Sequence, residues 1–144
     1  MSDLKALTPR EASIFACLTD TVVAPEPALP AVCRTDAVES FDRWVSLSPG
    51  LNRLGLRALL YASELAPRLL GSPARLRRLT EPQRAQALER AQRSGAAGAG
   101  LTKIVEGLAF LSYYGDDDVM RRLGYDADAN VARARELRAR ERRP

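Results

Sequence analysis

The sequence predicts an all-α protein, a compact bundle of five to seven helices, and three observations lead to that prediction. Apolar residues recur at helical spacing along much of the chain, as at Ile14 and Leu18. Capping threonines followed by prolines mark helix starts at Thr8 and Thr80. The alternating β-branched runs that indicate strands are absent from the sequence.

The composition is that of one folded domain. The chain has 144 residues, of which 46% are hydrophobic and 28% are charged. A chain of this size buries about two-thirds of its surface on folding, so one core is sufficient. We therefore assign residues 1–128 to a single helical domain and residues 129–144 to an arginine-rich C-terminal helix or tail.

The first helix has a complete start signal. Thr8 and Glu11 form a predicted capping box, and the helix is expected to run to about Val23. Residues 24–34 follow with three prolines, which predicts an extended connector over the surface.

The second and third helices also begin at recognisable caps. Thr35 or Asp36 is expected to cap a second helix that ends near Leu47. Residues 48–49, a serine and a proline, restart the chain as a third helix, which Pro67 is expected to break or kink.

The second half of the chain contains the most apolar helix. Residues 68–78 are predicted to be a short irregular or helical piece, and Thr80 opens the fourth helix. Residues 101–114 are apolar on nearly all sides, which predicts a buried central helix. A short helix over 116–123 and a solvated tail helix over 131–144 complete the bundle.

Two short polar or glycine-rich segments resemble ligand sites only superficially. The glycine cluster over residues 95–100 matches no nucleotide-binding motif and favours a flexible turn or a small-residue helix contact. The three aspartates over 116–118 lack the spacing of a calcium loop and favour capping of a helix N-terminus.

Composition excludes several classes of function. The chain has no histidine, which removes the commonest general base and transition-metal ligand. Its two cysteines, Cys17 and Cys33, form no metal-binding or redox motif. We expect no metal, no cofactor in this chain and no catalysis by it. No apolar run is long enough to span a membrane, and no signal segment is recognisable at the start, so we expect a cytoplasmic protein.

Charge is distributed in blocks along the chain. The net charge is +4, but residues 53–93 and 131–144 are basic whereas 1–52 and 96–128 are acidic. Such a bipolar surface favours oriented docking to a protein. Aromatic residues do not interleave with the arginines as in single-strand binders, which argues against nucleic acid as a partner.

Aromatic residues near the end of the central helix are candidate interface residues. The tyrosines either pack in the core with bonded hydroxyls or project as anchors into a partner, because tyrosine and arginine are favoured at interface hot spots. The interface candidates are Trp44, Tyr113, Tyr114, Arg121 and Tyr125.

The segment over residues 108–125, LAFLSYYGDDDVMRRLGY, resembles a known family. It is similar to the Y-Y-x-D-x-x-V-x-x-x-[LI]-G-Y ending of the gluconate 2-dehydrogenase subunit 3 family, the small subunits of flavin-dependent dehydrogenases. The resemblance extends over about residues 7–126. The same arrangement of segments also resembles the N-terminal helical region of long-chain alcohol oxidases of the glucose-methanol-choline type. Those oxidases usually have proline and tryptophan where this chain has Asp117 and Met120.

The resemblance implies a non-catalytic small subunit that binds and stabilises a large FAD-dependent alcohol, sugar or sterol oxidoreductase. FAD and the catalytic residues would then lie in the partner chain. Two alternatives are a self-assembling helical module without an enzyme partner and a basic protein associated with nucleic acid. The twin-arginine leader of the secreted small subunits is not seen here, which favours a complex inside the cell.

Overall fold

The predicted all-α class is confirmed by the computed structural model, which describes residues 4–141. Over that range the chain forms seven α-helices, two 3₁₀ turns and no strand. The helices are α1 (Pro9–Val23), α2 (Ala37–Leu47), α3 (Gly50–Leu69), α4 (Glu81–Arg93), α5 (Ala96–Tyr114), α6 (Asp117–Arg122) and α7 (Ala127–Glu141). The 3₁₀ turns are Val32–Arg34 and Leu76–Arg78.

A capping box is present at both helix starts that the threonines predict. At the start of α1, the backbone N–H of Thr8 donates to Glu11 Oε2 at 2.8 Å, and the N–H of Glu11 donates to Thr8 Oγ1 at 3.3 Å. At the start of α4, the N–H of Thr80 donates to Gln83 Oε1 at 3.0 Å. These reciprocal bonds satisfy backbone donors that a helix start otherwise leaves free. The two helix starts therefore follow from local sequence alone.

Of the predicted break or kink at Pro67, the break does not occur. Helix α3 continues through this proline to Leu69 and ends at Leu70, whose N–H donates to Ala66 O at 3.0 Å. The carbonyl of Pro67 also accepts a hydrogen bond, from Ser72 N–H at 2.8 Å. A proline this close to a helix end removes only one bond, and the closing turn satisfies the carbonyls that follow it.

The main core lies between α1, α2, α3 and α5. Phe15 on α1 and Phe41 on α2 stack with ring centroids 3.9 Å apart. Around them pack Leu7, Ile14, Leu18, Val45, Leu60, Leu76 and Val105. A second, smaller core beneath the proline-rich connector contains Val32, Ala37, Tyr113 and Val119. The second core therefore joins the connector to the ends of α5 and α6.

Helix α5 is central, but it is not buried on all sides. It packs against α1, α2, α3 and α4, as the prediction of a central helix requires. One of its faces nevertheless remains open, with Ile104 and Leu111 more than half exposed. The expectation of a helix buried all round is thus wrong on that face, because no described element lies over it.

Helix α7 projects from the bundle. It begins at Ala127, a few residues earlier than the sequence predicts, and the side chains of residues 126–140 are all exposed. Its polar character agrees with the expected solvated helix. Residues 142–144 of the predicted tail lie outside the described residues.

The glycine cluster is the first part of α5 and not a loop. Gly95 has φ +106° and precedes the helix, while Gly98 lies against the end of α4. A Cβ atom at Gly98 would overlap the carbonyl oxygen of Ala91 and Ser94 Oγ. The close approach of α4 and α5 therefore requires glycine at this position, which agrees with the small-residue helix contact expected from the sequence.

Replacing Gly98 with alanine should lower the free energy of unfolding by about 1–3 kcal/mol, because the added methyl group overpacks the α4–α5 contact. Gly100→Ala is the matched control, since nothing lies within 4 Å of a Cβ there. Alanine also favours helix, so the control should be neutral or more stable by up to about 1 kcal/mol. Urea denaturation followed by circular dichroism measures both. Equal stabilities of the two variants would contradict the close contact.

Candidate protein-binding surface

Helix α5 carries an exposed apolar face. At 100° per residue, the large exposed side chains of this helix fall within a sector of about 120°. The apolar ones are Ile104 (55% exposed), Phe110 (42%), Leu111 (65%) and Tyr114 (38%), and we call this group the α5 outer face. The exposed Lys103 lies in the same sector. Scattered single apolar residues are normal on protein surfaces, but a helix stripe of four is typical of an interaction site.

The other side of α5 faces the core. Val105, Ala109 and Tyr113 are buried there, together with the hydroxyl-bearing Thr102 and Ser112. An amphipathic surface helix normally has one apolar stripe and one polar face. Helix α5 has two apolar stripes, and only one of them is covered by the described part of the chain.

Tyr113 is a core residue, which corrects its assignment to the partner interface. Its side chain is 0% exposed, and its hydroxyl donates to the carbonyl oxygen of Pro30 at 2.6 Å. Burial raises the pKa of Tyr113, so the hydroxyl remains a proton donor to that carbonyl. The bond holds the proline-rich connector against α5. Core packing with a bonded hydroxyl was the alternative that the sequence left open for these tyrosines.

Tyr114 has the position expected of an anchor. It is partly exposed, and its ring lies edge-on to Tyr113 with a centroid separation of 5.1 Å. The ring of Phe110 lies 6.0 Å from it, tilted by 38°. Packing against two rings restricts the rotamers of Tyr114, so a partner that binds it loses little side-chain entropy.

Helix α6 is attached to the bundle through Asp116. Its Oδ1 accepts from the N–H groups of Asp118 and Val119 at 2.8 and 3.1 Å, and its Oδ2 accepts from the N–H of Asp36 at 2.9 Å. Burial opposes ionisation of Asp116, but these N–H donors prevail and lower its pKa. Asp116 thus caps α6, as expected for this aspartate cluster, and also binds the start of α2. Asp36, in contrast, makes no capping bond with its own side chain.

Arg121 and Tyr125 line one groove of about 350 Å³ at the junction of α6 and α7. Gly124, with φ +78°, ends α6, and the N–H of Tyr125 then donates to Met120 O at 2.9 Å. Arg121 is exposed, and its Nη2 lies 3.7 Å from Asp118 Oδ1. Both side chains are accessible to a partner.

Trp44 lies on a different helix from the other four candidates. It lies near the end of α2, and the exposed leucines that follow it are Leu47 on α2 and Leu51 and Leu54 on α3. Of the five predicted interface residues, Tyr114, Arg121 and Tyr125 are exposed on the segment from the end of α5 to the residues after α6, and Tyr113 is buried there. Trp44 is exposed on α2.

Three surface residues were not predicted from the sequence: Ile104, Phe110 and Leu111. Their signal was present, because residues 101–114 are apolar on more faces than one core contact requires. That pattern was assigned to full burial. A helix that is apolar all round indicates either complete burial or a missing partner, and only the positions of its neighbours distinguish the two.

The described residues contain no group of three or more acidic or cysteine side chains placed to hold a metal ion. No helix in residues 4–141 has the length and apolar content needed to cross a bilayer. Comparisons with protein-family models, with curated proteins and with solved structures found no match. The α5 outer face and the sequence motif are therefore the grounds for assigning a function.

Proposed function

We propose that this protein is a non-catalytic accessory subunit that binds and stabilises a large FAD-dependent alcohol, sugar or sterol oxidoreductase. The observation that supports this proposal is the second apolar stripe of α5, which the described chain leaves uncovered. Partner binding would occur through the α5 outer face and the adjoining side chains of α6.

Burial of the α5 outer face would provide much of the binding free energy. Apolar surface removed from water contributes about 25 cal/mol per Å². Helix α5 is anchored on its opposite side, so its outer face needs no rearrangement to meet a partner. A small subunit that stabilises a large enzyme would bury an area on the order of 2,000 Å² or more.

The family motif lies in the same region as this surface. Residues 113–125, which carry the resemblance to the small subunits, span the end of α5, all of α6 and the residues up to Tyr125. Several of them line the groove between α6 and α7. Within the motif, Tyr114, Arg121 and Tyr125 are exposed. Tyrosine and arginine are residue types favoured at interface hot spots. Tyr114 and Tyr125 are motif positions, whereas Arg121 stands at a variable position of the motif.

FAD is assigned to the partner in this proposal. Dinucleotide-binding domains use a strand followed by a glycine-rich loop and a helix, and residues 4–141 contain no strand. The glycines over 95–100 start α5 instead. This chain would therefore act by shape and burial, stabilising the fold of its partner or shaping the entrance to its substrate site.

The proposal is tested by capturing the tagged full-length protein from its native cell extract. An absorbance scan between about 350 and 500 nm reports bound flavin, and gel electrophoresis reports the mass of the captured chain. We expect a yellow complex with one much larger protein in fixed ratio. The variant Ile104→Asp/Leu111→Asp should reduce capture by about tenfold or more, since it places two charges in the proposed interface.

Leu69→Asp is the matched control, because Leu69 is 82% exposed but lies on α3. It should capture the flavoprotein as well as the unchanged chain does. Thermal melts should be similar for all three proteins, since each substituted side chain is exposed. A colourless homo-oligomer would overturn the proposal in favour of the self-assembling module. Capture that survives the double substitution would exclude the α5 outer face.

A further inference from the structure

A groove of about 800 Å³ lies on a part of the molecule that the proposed subunit contact does not use. It is bounded by α3, the loop after α3 and the 3₁₀ turn Leu76–Arg78, with the start of α1 at one side. Five arginines line it, and we call it the basic groove: Arg10, Arg68, Arg75, Arg77 and Arg78.

The charge of the basic groove is not balanced by the described residues. Its one acidic lining residue is Glu64, whose Oε1 lies 3.2 Å from Arg77 Nε in an ion pair. No carboxylate of the described residues lies within ion-pair distance of the other four arginines. Four arginines without an ion-pair partner among the described residues thus line one concave space. Their mutual repulsion is relieved if an anion binds among them.

Two of the arginines are held in place before any ligand binds. The buried Glu64 fixes Arg77 from one side, and Arg77 Nη1 donates to Ser13 Oγ at 3.2 Å. The guanidinium of Arg10 lies 5.5 Å from the centre of the Tyr61 ring, in a cation–π contact. Such restraints reduce the entropy lost when a ligand is bound. A merely solvated row of arginines would lack them.

We propose that the basic groove binds a small anion that carries two or more linked phosphate groups. Guanidinium groups bind phosphate oxygens through paired hydrogen bonds, and several around one space suit several phosphates. A groove of this volume is within the range of small-molecule sites. No aromatic side chain lines it, so nothing in it would recognise a nucleobase. The recognised group is therefore the phosphate chain itself.

The binding is tested by titrating the full-length protein with inorganic tripolyphosphate and following the heat released. We expect saturable 1:1 binding that weakens steeply as salt is raised, because the contacts are charged. Arg68→Gln/Arg78→Gln should weaken binding by about tenfold or more, since each lost guanidinium removes charge-assisted hydrogen bonds. Both side chains are exposed and have no described ion pair, so the fold should be unchanged.

Arg90→Gln is the matched control, because Arg90 is an exposed arginine on α4 with no described ion pair. It should bind tripolyphosphate within about twofold of the unchanged protein. An equal loss of affinity for tripolyphosphate in both variants would show that the anion is attracted by the overall charge, and would overturn the proposal of a site in the basic groove. Binding of sulfate as tight as that of tripolyphosphate would overturn the requirement for linked phosphates. If a glutamate-rich peptide binds the protein and tripolyphosphate does not, the ligand of the basic groove is an acidic protein segment and not a small anion.

This inference does not depend on the accessory-subunit proposal. The titration needs no partner protein, and its variants lie outside the α5 outer face. Failure of the titration therefore leaves the flavoprotein proposal unaffected, and the reverse also holds.

Discussion

Tyr113→Ala should lower the free energy of unfolding by about 3–5 kcal/mol, the range for deleting a buried aromatic side chain. The ring fills the smaller core with Val32, Ala37 and Val119, so its removal leaves a cavity there. The loss would also release the proline-rich connector, because the hydrogen bond to Pro30 O disappears. Urea denaturation followed by circular dichroism measures the change.

Two matched variants separate the roles of this residue. Tyr113→Phe keeps the ring and removes only the hydroxyl, so it should cost about 0.5–1.5 kcal/mol. Tyr114→Ala, at the exposed neighbour, should change stability by less than about 1 kcal/mol and should weaken capture of the partner. A stable Tyr113→Ala protein with impaired capture would reverse this assignment and return Tyr113 to the interface.

Asp42→Ala should lower the free energy of unfolding by about 2–4 kcal/mol, because it leaves three backbone donors without their acceptor. Asp42 is buried on α2, and its carboxylate accepts from the N–H groups of Lys5, Ala6 and Leu7 at 2.8, 3.0 and 2.7 Å. These bonds attach the segment before α1 to the bundle. Asp128→Ala, at an exposed aspartate of α7, is the control and should have little effect.

The same carboxylate makes stability depend on pH. Burial raises the pKa of Asp42, but the three backbone N–H donors prevail and hold the pKa below its ordinary value of 3.8. The unfolded chain then binds the proton more readily than the folded chain. The contribution of Asp42 is therefore complete above about pH 5 and is lost as the pH falls below about 4.

Asp42→Asn tests that pH dependence, because it keeps the shape of the side chain and cannot ionise. The difference in unfolding free energy between the unchanged protein and this variant should shrink as the pH is lowered from about 6 to about 3. A constant difference over this range would show that Asp42 has the same pKa in the folded and unfolded states.

The sequence predicted helix boundaries best where the stabilising contact is local. The capping boxes at Thr8 and Thr80 connect residues three positions apart, so the short segment that shows the pattern also holds both partners of the hydrogen bond. The predicted start of α2 is confirmed, and the N–H of its first residue, Ala37, donates to Thr35 Oγ1 at 3.4 Å. The N–H of Asp36, in contrast, donates to Asp116, which is distant in the sequence. The role of Asp42 was missed for the same reason, since its partners are more than thirty residues away.

The amino-acid sequence by itself determined that this protein is helical, where its main helices begin, and that residues 101–114 form its most apolar segment. These properties depend on local spacing and capping. Only the tertiary structure decided which side of α5 is covered, and hence that Tyr113 is in the core while Leu111 and Tyr114 face outward. Burial is a relation between elements distant in sequence, so two apolar stripes that are equivalent in the sequence differ only through the helices that pack against one of them.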